Sequence, residues 1–221
     1  MAHARLVAAL ALVACSGEPA SKPPEAPVDV PIKGKPPGYT TDVESWGKFH
    51  SKRFQVTMSL PDGKAWKIDD HKEADTIAVH EATSSRITVR ATNEPELMNR
   101  KRCEERARAL GIVPDNAEKA LMTVEDEVWV GPEAYDSRVW VAIEPGRPGG
   151  AVAGHVFLFG SFIRRCLFVH LTTLVPNAKE EEVLATRLAV AKEKMVKAVT
   201  LDAPRTTEDA ELPRDKPGLK R

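Results

Sequence analysis

The sequence lacks the features that would assign it to a common functional class. It has no excess of either charge, since 32 basic residues balance 32 acidic residues, and this argues against a surface that tracks nucleic-acid phosphates. It has no G-x-S-x-G elbow, no phosphate-binding loop and no G-x-G-x-x-G motif, so the motifs of common hydrolases and nucleotide-binding enzymes are missing. We therefore expect no nucleic-acid partner and no cofactor, and we assign no catalytic residue.

The apolar run at the amino terminus is too short to cross a bilayer. Leu6–Ala14 has nine residues, whereas a transmembrane helix needs about 20. A short basic segment precedes this run and small residues end it, and this layout predicts an export signal over residues 1–14.

The four residues Leu12-Val13-Ala14-Cys15 resemble the lipobox of bacterial lipoproteins. The resemblance implies a diacylglycerol thioether on Cys15, cleavage before it and acylation of the new amino terminus, and several acyl chains together anchor a protein stably to a bilayer. Ser16 follows the cysteine, and under this resemblance it favours the outer membrane, facing the periplasm or the surface. The alternative is an ordinary signal peptide that is cut nearby.

Two polar segments flank the single domain expected over residues 39–201. Residues 15–38 contain seven prolines and few large apolar side chains, so they are predicted to form an extended spacer behind the lipidated cysteine. Residues 202–221 contain three prolines and are predicted to be a disordered tail.

The cysteine count is three, and setting Cys15 aside for lipid leaves Cys103 and Cys166 as a pair. An exported protein meets an oxidising compartment, so a disulfide is the favoured interpretation. Two alternatives stay open: both thiols are buried and reduced, or they serve a metal or redox site, although no C-x-x-C spacing supports the latter.

Periodicity predicts an α+β fold with a mostly antiparallel sheet of about seven to eight strands and two main helices on opposite faces. The expected strands cover residues 53–60, 65–68, 76–82, 86–91, 124–130, 135–143, 151–159 and 162–174. The expected turn between the last two is Gly160-Ser161. The first helix is expected from Pro95 to Leu110, with an inward stripe and a solvated face. Its stripe is Cys103, Ala107 and Leu110, and its solvated face is Arg100, Lys101, Glu104, Glu105 and Arg108.

The final helix is expected to begin after Asn177, which has Glu180 three residues on. Its apolar stripe is Leu184, Leu188, Ala191, Met195 and either Ala198 or Val199.

The order of these elements, together with the SLPDG-x-x-W stretch from Ser59 to Trp66, resembles the PsbP-like α-β-α sandwich. The resemblance implies a binding or assembly module, and it transfers no catalytic residue to this chain.

Two groups of side chains are candidates for a metal site or an anion site. His80, His155 and His170 all lie in expected strands, so they could converge on a metal, but their long separations carry no ligand pattern and satisfied histidines are favoured. Arg164, on the expected face of Cys166, is either part of an anion site or, as favoured, an arginine that reaches water near a turn.

These observations favour a membrane-anchored bacterial envelope lipoprotein with a non-catalytic binding or assembly domain. Its expected partners are the bilayer, through acylated Cys15, and an envelope protein. The alternatives are an unrecognised envelope hydrolase and a carrier of a small apolar ligand, which would need a cavity between the sheet and the final helix.

Overall fold

The computed structural model describes residues 45–71, 74–131, 135–146 and 150–202, all within one compact unit of residues 32–221. The strands are β1 Trp46–Ser51, β2 Val56–Pro61, β3 Trp66–Asp69, β4 Thr76–His80, β5 Ser85–Asn93, β6 Leu121–Val130, β7 Tyr135–Glu144, β8 Val152–Phe162, β9 Arg165–Val175 and β10 Thr200–Leu201. The helices are α1 Arg100–Ala109, α2 Asp115–Lys119 and α3 Glu181–Val190, which continues as a π-helical turn, Ala191–Val196. Within these ranges no helix has the length and apolar character needed to cross a membrane.

Several predictions at the two ends of the chain lie outside the described residues. They are the lipid anchor at Cys15, the signal segment 1–14, the spacer 15–38 and the tail beyond residue 202.

The strands form two antiparallel sheets, and the α+β fold class is confirmed. The larger sheet has seven strands in the order β3-β4-β5-β9-β8-β7-β6, and the smaller has three in the order β1-β2-β10. The period-two pattern of β2 places Val56, Met58 and Leu60 in the core as expected, but β2 pairs with β1 and β10 rather than with the larger sheet. Alternation specifies which face a strand buries and does not specify its neighbours.

The two main helices cover opposite faces of the larger sheet. Gly154 of β8 lies against α3, because a Cβ there would come within 2.8 Å of Leu188 Cδ1 and 2.9 Å of Leu184 Cδ1. Cys103 of α1 is bonded to Cys166 of β9, which is paired with Ser161 and so points to the other face of β8 from Gly154. The apolar stripe of the final helix is buried as expected, and it ends with Val199 rather than Ala198.

The first helix begins later than expected, at Arg100 rather than Pro95. The preceding residues lie across the β8–β9 turn, where Glu94 N donates to Arg164 O at 2.7 Å and Met98 N donates to Ile163 O at 2.7 Å. The Asn99 side chain then accepts from Arg102 N at 2.9 Å and provides the cap that Pro95 would not.

The expected turn at Gly160-Ser161 is also wrong. Both residues belong to β8, and the chain reverses at Ile163-Arg164, with Ile163 at a left-handed φ of 54°. A Cβ on Gly160 would lie 3.0 Å from Ser137 Oγ and 3.4 Å from Tyr135 Cδ1. The glycine therefore serves close packing against β7 rather than a turn.

Candidate functional site

The structure brings two of the three strand histidines together. His155 Nδ1 lies 3.1 Å from His170 Nε2 and 3.1 Å from Thr172 Oγ1, and Thr172 Oγ1 lies 2.9 Å from His170 Nε2. On its other side, His155 Nε2 lies 3.2 Å from Glu144 Oε1. We call these four residues the histidine cluster.

His80 does not join the histidine cluster. It pairs with Ser85 and, through it, with Thr173, so its side chain points to the face opposite that of Thr172. There its Nδ1 lies 2.7 Å from Thr83 Oγ1 and its ring centroid lies 5.2 Å from that of Trp66. This placement rules out the less favoured alternative, in which all three histidines converge on one metal. In the part of the chain that the structure describes, no group of three or more His, Cys, Asp or Glu residues is arranged to hold a metal ion.

Burial keeps the two histidines of the histidine cluster uncharged at neutral pH. The pKa of His170 is lowered to about 3, first by desolvation and then by the charges of His155 and Arg86. The pKa of His155 is also lowered, because desolvation outweighs the attraction of Glu144. Phe157 contributes to this dry environment, since its ring stacks on His170 with centroids 4.1 Å apart.

We expect acid to destabilise the protein through His170. Because its folded-state pKa is below the unfolded value, the unfolded chain takes up this proton first, and stability falls as the pH drops from about 6.5 towards 3. At pH 4 the loss from this one residue is about 3 kcal/mol, at about 1.4 kcal/mol per pKa unit. Urea unfolding of wild type and His170→Gln between pH 7 and pH 4 measures it.

In that experiment His170→Gln should lose markedly less stability than wild type on acidification. His50→Gln, which changes a histidine with 40% side-chain exposure, is the matched control and should keep the wild-type slope. Equal acid sensitivity in wild type and His170→Gln would contradict the prediction.

The histidine cluster contains the order carboxylate, imidazole and hydroxyl that nucleophilic enzymes use, in Glu144, His155 and Thr172. However, the His155 side chain is only 6% exposed, and Phe157 stacks against it at 5.8 Å. Two clefts on the described surface, of about 320 and 330 Å³, contain none of these residues. The geometry is that of a buried polar cluster beside the core, whose His155 Nε2 has, among the described residues, only the ion-pair contact with Glu144.

The layer between the larger sheet and the final helix is filled. Leu184, Leu188 and Met195 are buried there, and the close approach to Gly154 leaves no room even for a methyl group at that point. This packing does not favour the carrier of a small apolar ligand, which needs a cavity in this layer.

The edge strand β6 is the most apolar exposed element among the described residues. Half of the exposed large hydrophobic side chains lie on it: Leu121 at 37%, Met122 at 61%, Val124 at 43% and Trp129 at 63%. Strand β6 is the last strand of its sheet, so the backbone groups of its outer edge have no strand partner within the described ranges. Edge strands with exposed apolar side chains favour pairing with another chain.

A β-bulge divides β6 into two parts. The register with β7 shifts between Leu121 and Thr123 and again between Glu125 and Val128, and Glu127 at the second shift has a left-handed φ of 59°. The first part, 121–124, carries no charged side chain. We call it the apolar edge.

The bulge carries three acidic residues, Glu125, Asp126 and Glu127. Ion pairs hold this acidic bulge against the rest of the domain. Arg138 donates to Asp126 at 2.6 Å and lowers the pKa of this carboxyl. Glu125 lies 2.7 Å from Lys197 and also pairs with Lys192, and both lysines lower its pKa. These negative charges are therefore neutralised within the protein and repel an approaching chain only weakly.

The ion pairs of Arg138 also involve α1. The prediction that Glu104 lies on the solvated face of this helix is wrong. Glu104 is 5% exposed, and its two carboxylate oxygens lie 2.7 Å from Arg108 and 2.6 Å from Arg138. Helical periodicity did not predict its burial, because the arginine that draws it inward lies on β7, 34 residues away.

Sequence reasoning missed part of the apolar edge. The strand was expected to start at Val124, whereas β6 starts at Leu121, so Leu121 and Met122 were left out. The signal was present in the run L-M-T-V, where the β-branched Thr123 extends the strand pattern of Val124 towards Met122 and Leu121.

Arg164 lies in the β8–β9 turn and is exposed, and its carbonyl accepts from Glu94 N. It is therefore not on the strand face of Cys166, where an anion site was considered. This placement agrees with the favoured alternative, a turn arginine whose head reaches water.

No protein-family model matches the sequence, and no curated protein matches it. Among solved structures, the Ran-binding protein Mog1p of Saccharomyces cerevisiae is similar over 71% of this chain and 95% of its own, with 12% sequence identity and a TM-score of 0.44. A protein of Bacteroides thetaiotaomicron VPI-5482 is similar over 70% of this chain and 48% of its own, with 12% identity and a TM-score of 0.40.

Proposed function

We propose that this protein is a lipid-anchored component of a bacterial envelope, held at the outer membrane, whose α+β domain binds an envelope protein without catalysis. The lipobox-like residues Leu12–Cys15 and the proline-rich spacer behind them support the anchored location. The PsbP-like resemblance supports a binding or assembly role. The observation that carries the binding role is the exposed apolar edge of β6.

The proposed occupant of the apolar edge is an extended segment of the partner. An added strand hydrogen-bonds along the outer backbone of 121–124, while apolar side chains of the segment pack on Met122 and Val124. The register shift between Leu121 and Thr123 makes this edge irregular, and the bulge at 125–128 ends it, so the segment needs only about four residues and pairs with β6 on either side of the first shift.

The anchor is tested by cell fractionation of the full chain with Cys15→Ser. Wild type is expected in the membrane fraction and released by detergent, whereas Cys15→Ser is expected in the soluble fraction, because it cannot form the thioether. Mass spectrometry of the mature amino terminus should find an acylated cysteine. If Cys15→Ser remains with the membranes as firmly as wild type, the anchor proposal is wrong.

The binding role is tested by a photo-crosslinking residue in place of Met122 in cells. We expect one defined crosslinked protein, and Val124→Glu in the same chain should lower its yield about tenfold, because a charge would be buried against the added strand. The matched control replaces Ile68, an exposed apolar residue on the opposite edge strand β3, and should give no such product. Equal products at both positions, no product at Met122, or a product of two copies of this chain would overturn the proposed partner.

A further inference from the structure

A cleft of about 320 Å³ lies where the two sheets meet, away from β6. Its lining residues are Arg53, Phe54, Gln55, Ala91, Asn93 and Arg165. The first three connect β1 to β2, the next two lie near the end of β5, and Arg165 begins β9 as the register partner of Asn93.

The lining of this junction cleft is basic. It contains two guanidinium groups, two amide side chains and no carboxylate among the described residues that form it. Asp70 lies at the margin of the cleft, with its Oδ1 3.8 Å from Arg53 Nε. Because Coulomb attraction falls with distance and with exposure to water, Asp70 offsets only part of this positive charge.

The arginines are held in place by the fold. Arg165 donates to Phe54 O at 2.6 Å and to Gln55 Oε1 at 3.3 Å, which engages part of the five N–H donors of a guanidinium. The Arg53 guanidinium lies over the Phe54 ring, 4.6 Å from its centroid. Both cations are therefore oriented before any ligand arrives, which lowers the entropic cost of binding.

The backbone at the junction cleft is strained. Gln55 has a left-handed φ of 57°, and its carbonyl accepts from Asp202 N at 3.0 Å. Non-glycine residues in this conformation persist where the surrounding structure enforces them, and they concentrate at ligand sites.

We infer that the junction cleft binds a small anion that carries a carboxylate or phosphate group, held between Arg53 and Arg165 with Asn93 as a further donor. Guanidinium forks match the oxygen atoms of both groups, and the volume is at the lower end of the range for small-molecule sites. This site goes beyond the proposed function, because its residues lie on β5, β9 and the β1–β2 connection rather than on β6.

The test is thermal unfolding of the full chain with inorganic phosphate or citrate, against sodium chloride at equal ionic strength. At about ten times Kd, the ligand favours the folded state about elevenfold and raises the Tm by about 4 °C. Arg53→Gln should raise Kd about tenfold, as expected for loss of a charge-assisted hydrogen bond, so that the Tm rise at the same ligand concentration falls to about 1 °C.

Arg164→Gln is the matched control, because it removes the same charge from the neighbour of Arg165 outside the cleft, and its response should equal that of wild type. If Arg53→Gln does not fold, Asn93→Leu at an exposed position takes its place and should also weaken the response. A wild-type response no larger than that to chloride, or an equal response in wild type and the cleft variant, would overturn the inference.

A second assay with the same variants distinguishes two sources of the anion, a lipid headgroup and a free anion. In the full chain with Cys15→Ser, which cannot form the lipid anchor, co-sedimentation with vesicles of phosphatidylglycerol and phosphatidylcholine that is lost on adding Arg53→Gln and kept on adding Arg164→Gln identifies a lipid headgroup. A phosphate or citrate response without co-sedimentation identifies a free anion.

Discussion

Replacement of Cys103 and Cys166 by alanine is expected to lower the free energy of unfolding by about 4 kcal/mol, from the entropy of a closed loop of this size. The two residues are 63 positions apart, and their Cα atoms lie 5.5 Å apart. Alanine avoids placing a hydroxyl at either position, since both residues are fully buried. The Tm should fall by about 12 °C, at about 3 °C per kcal/mol for a domain of this size.

The loss of stability in the double variant should be largest in α1. The inward stripe of this helix consists of the small side chains Cys103 and Ala107, with Leu110 only half-buried, so apolar burial alone holds it weakly to the sheet. Hydrogen exchange should therefore show faster opening of α1 in the double variant and little change in α3. Wild type treated with a reductant serves as the control and should show the same pattern. A double variant with wild-type Tm would show that the disulfide contributes nothing to stability.

Phe157→Ala should cost about 4 kcal/mol, in the range for a buried phenylalanine. Phe157 is fully buried, and its ring packs against Trp140 at 6.3 Å and against His170 at 4.1 Å. Phe157→Leu keeps most of the volume and should cost roughly 1 kcal/mol. Urea unfolding at pH 7.5, where His155 and His170 are uncharged, measures both variants.

The same substitution tests what keeps the histidine cluster dry. Without the Phe157 ring, water should reach His170, and its pKa should rise towards the ordinary histidine value because desolvation is the largest cause of its shift. NMR titration of the histidine ring protons in Phe157→Ala and Phe157→Leu follows this change. If the pKa of His170 is unaltered in folded Phe157→Ala, the phenylalanine is not the group that excludes water.

Local sequence patterns predicted much of the fold, but they predicted the candidate sites less well. Alternating side chains identified β2 as a half-buried strand, and helical spacing identified the stripe of Leu184 and Leu188. The exposed edge was found only from Val124 onward, and Arg164 was considered for an anion site instead of Arg165. These errors share one cause: element boundaries and turns depend on contacts made by distant residues, as the hydrogen bonds from Glu94 and Met98 to the β8–β9 turn show.

By itself the sequence determined the fold class and the buried faces, because the periods of 2.0 and 3.6 residues are properties of the local backbone. It also supplied the lipobox-like pattern that motivates the anchor. Only the tertiary structure decided which elements became neighbours: β2 with β1, His155 with His170, and Arg165 with Gln55, which is 110 residues away. Such pairings depend on the free energy of the whole folded chain, including the entropy of closing long loops, and no local period encodes them.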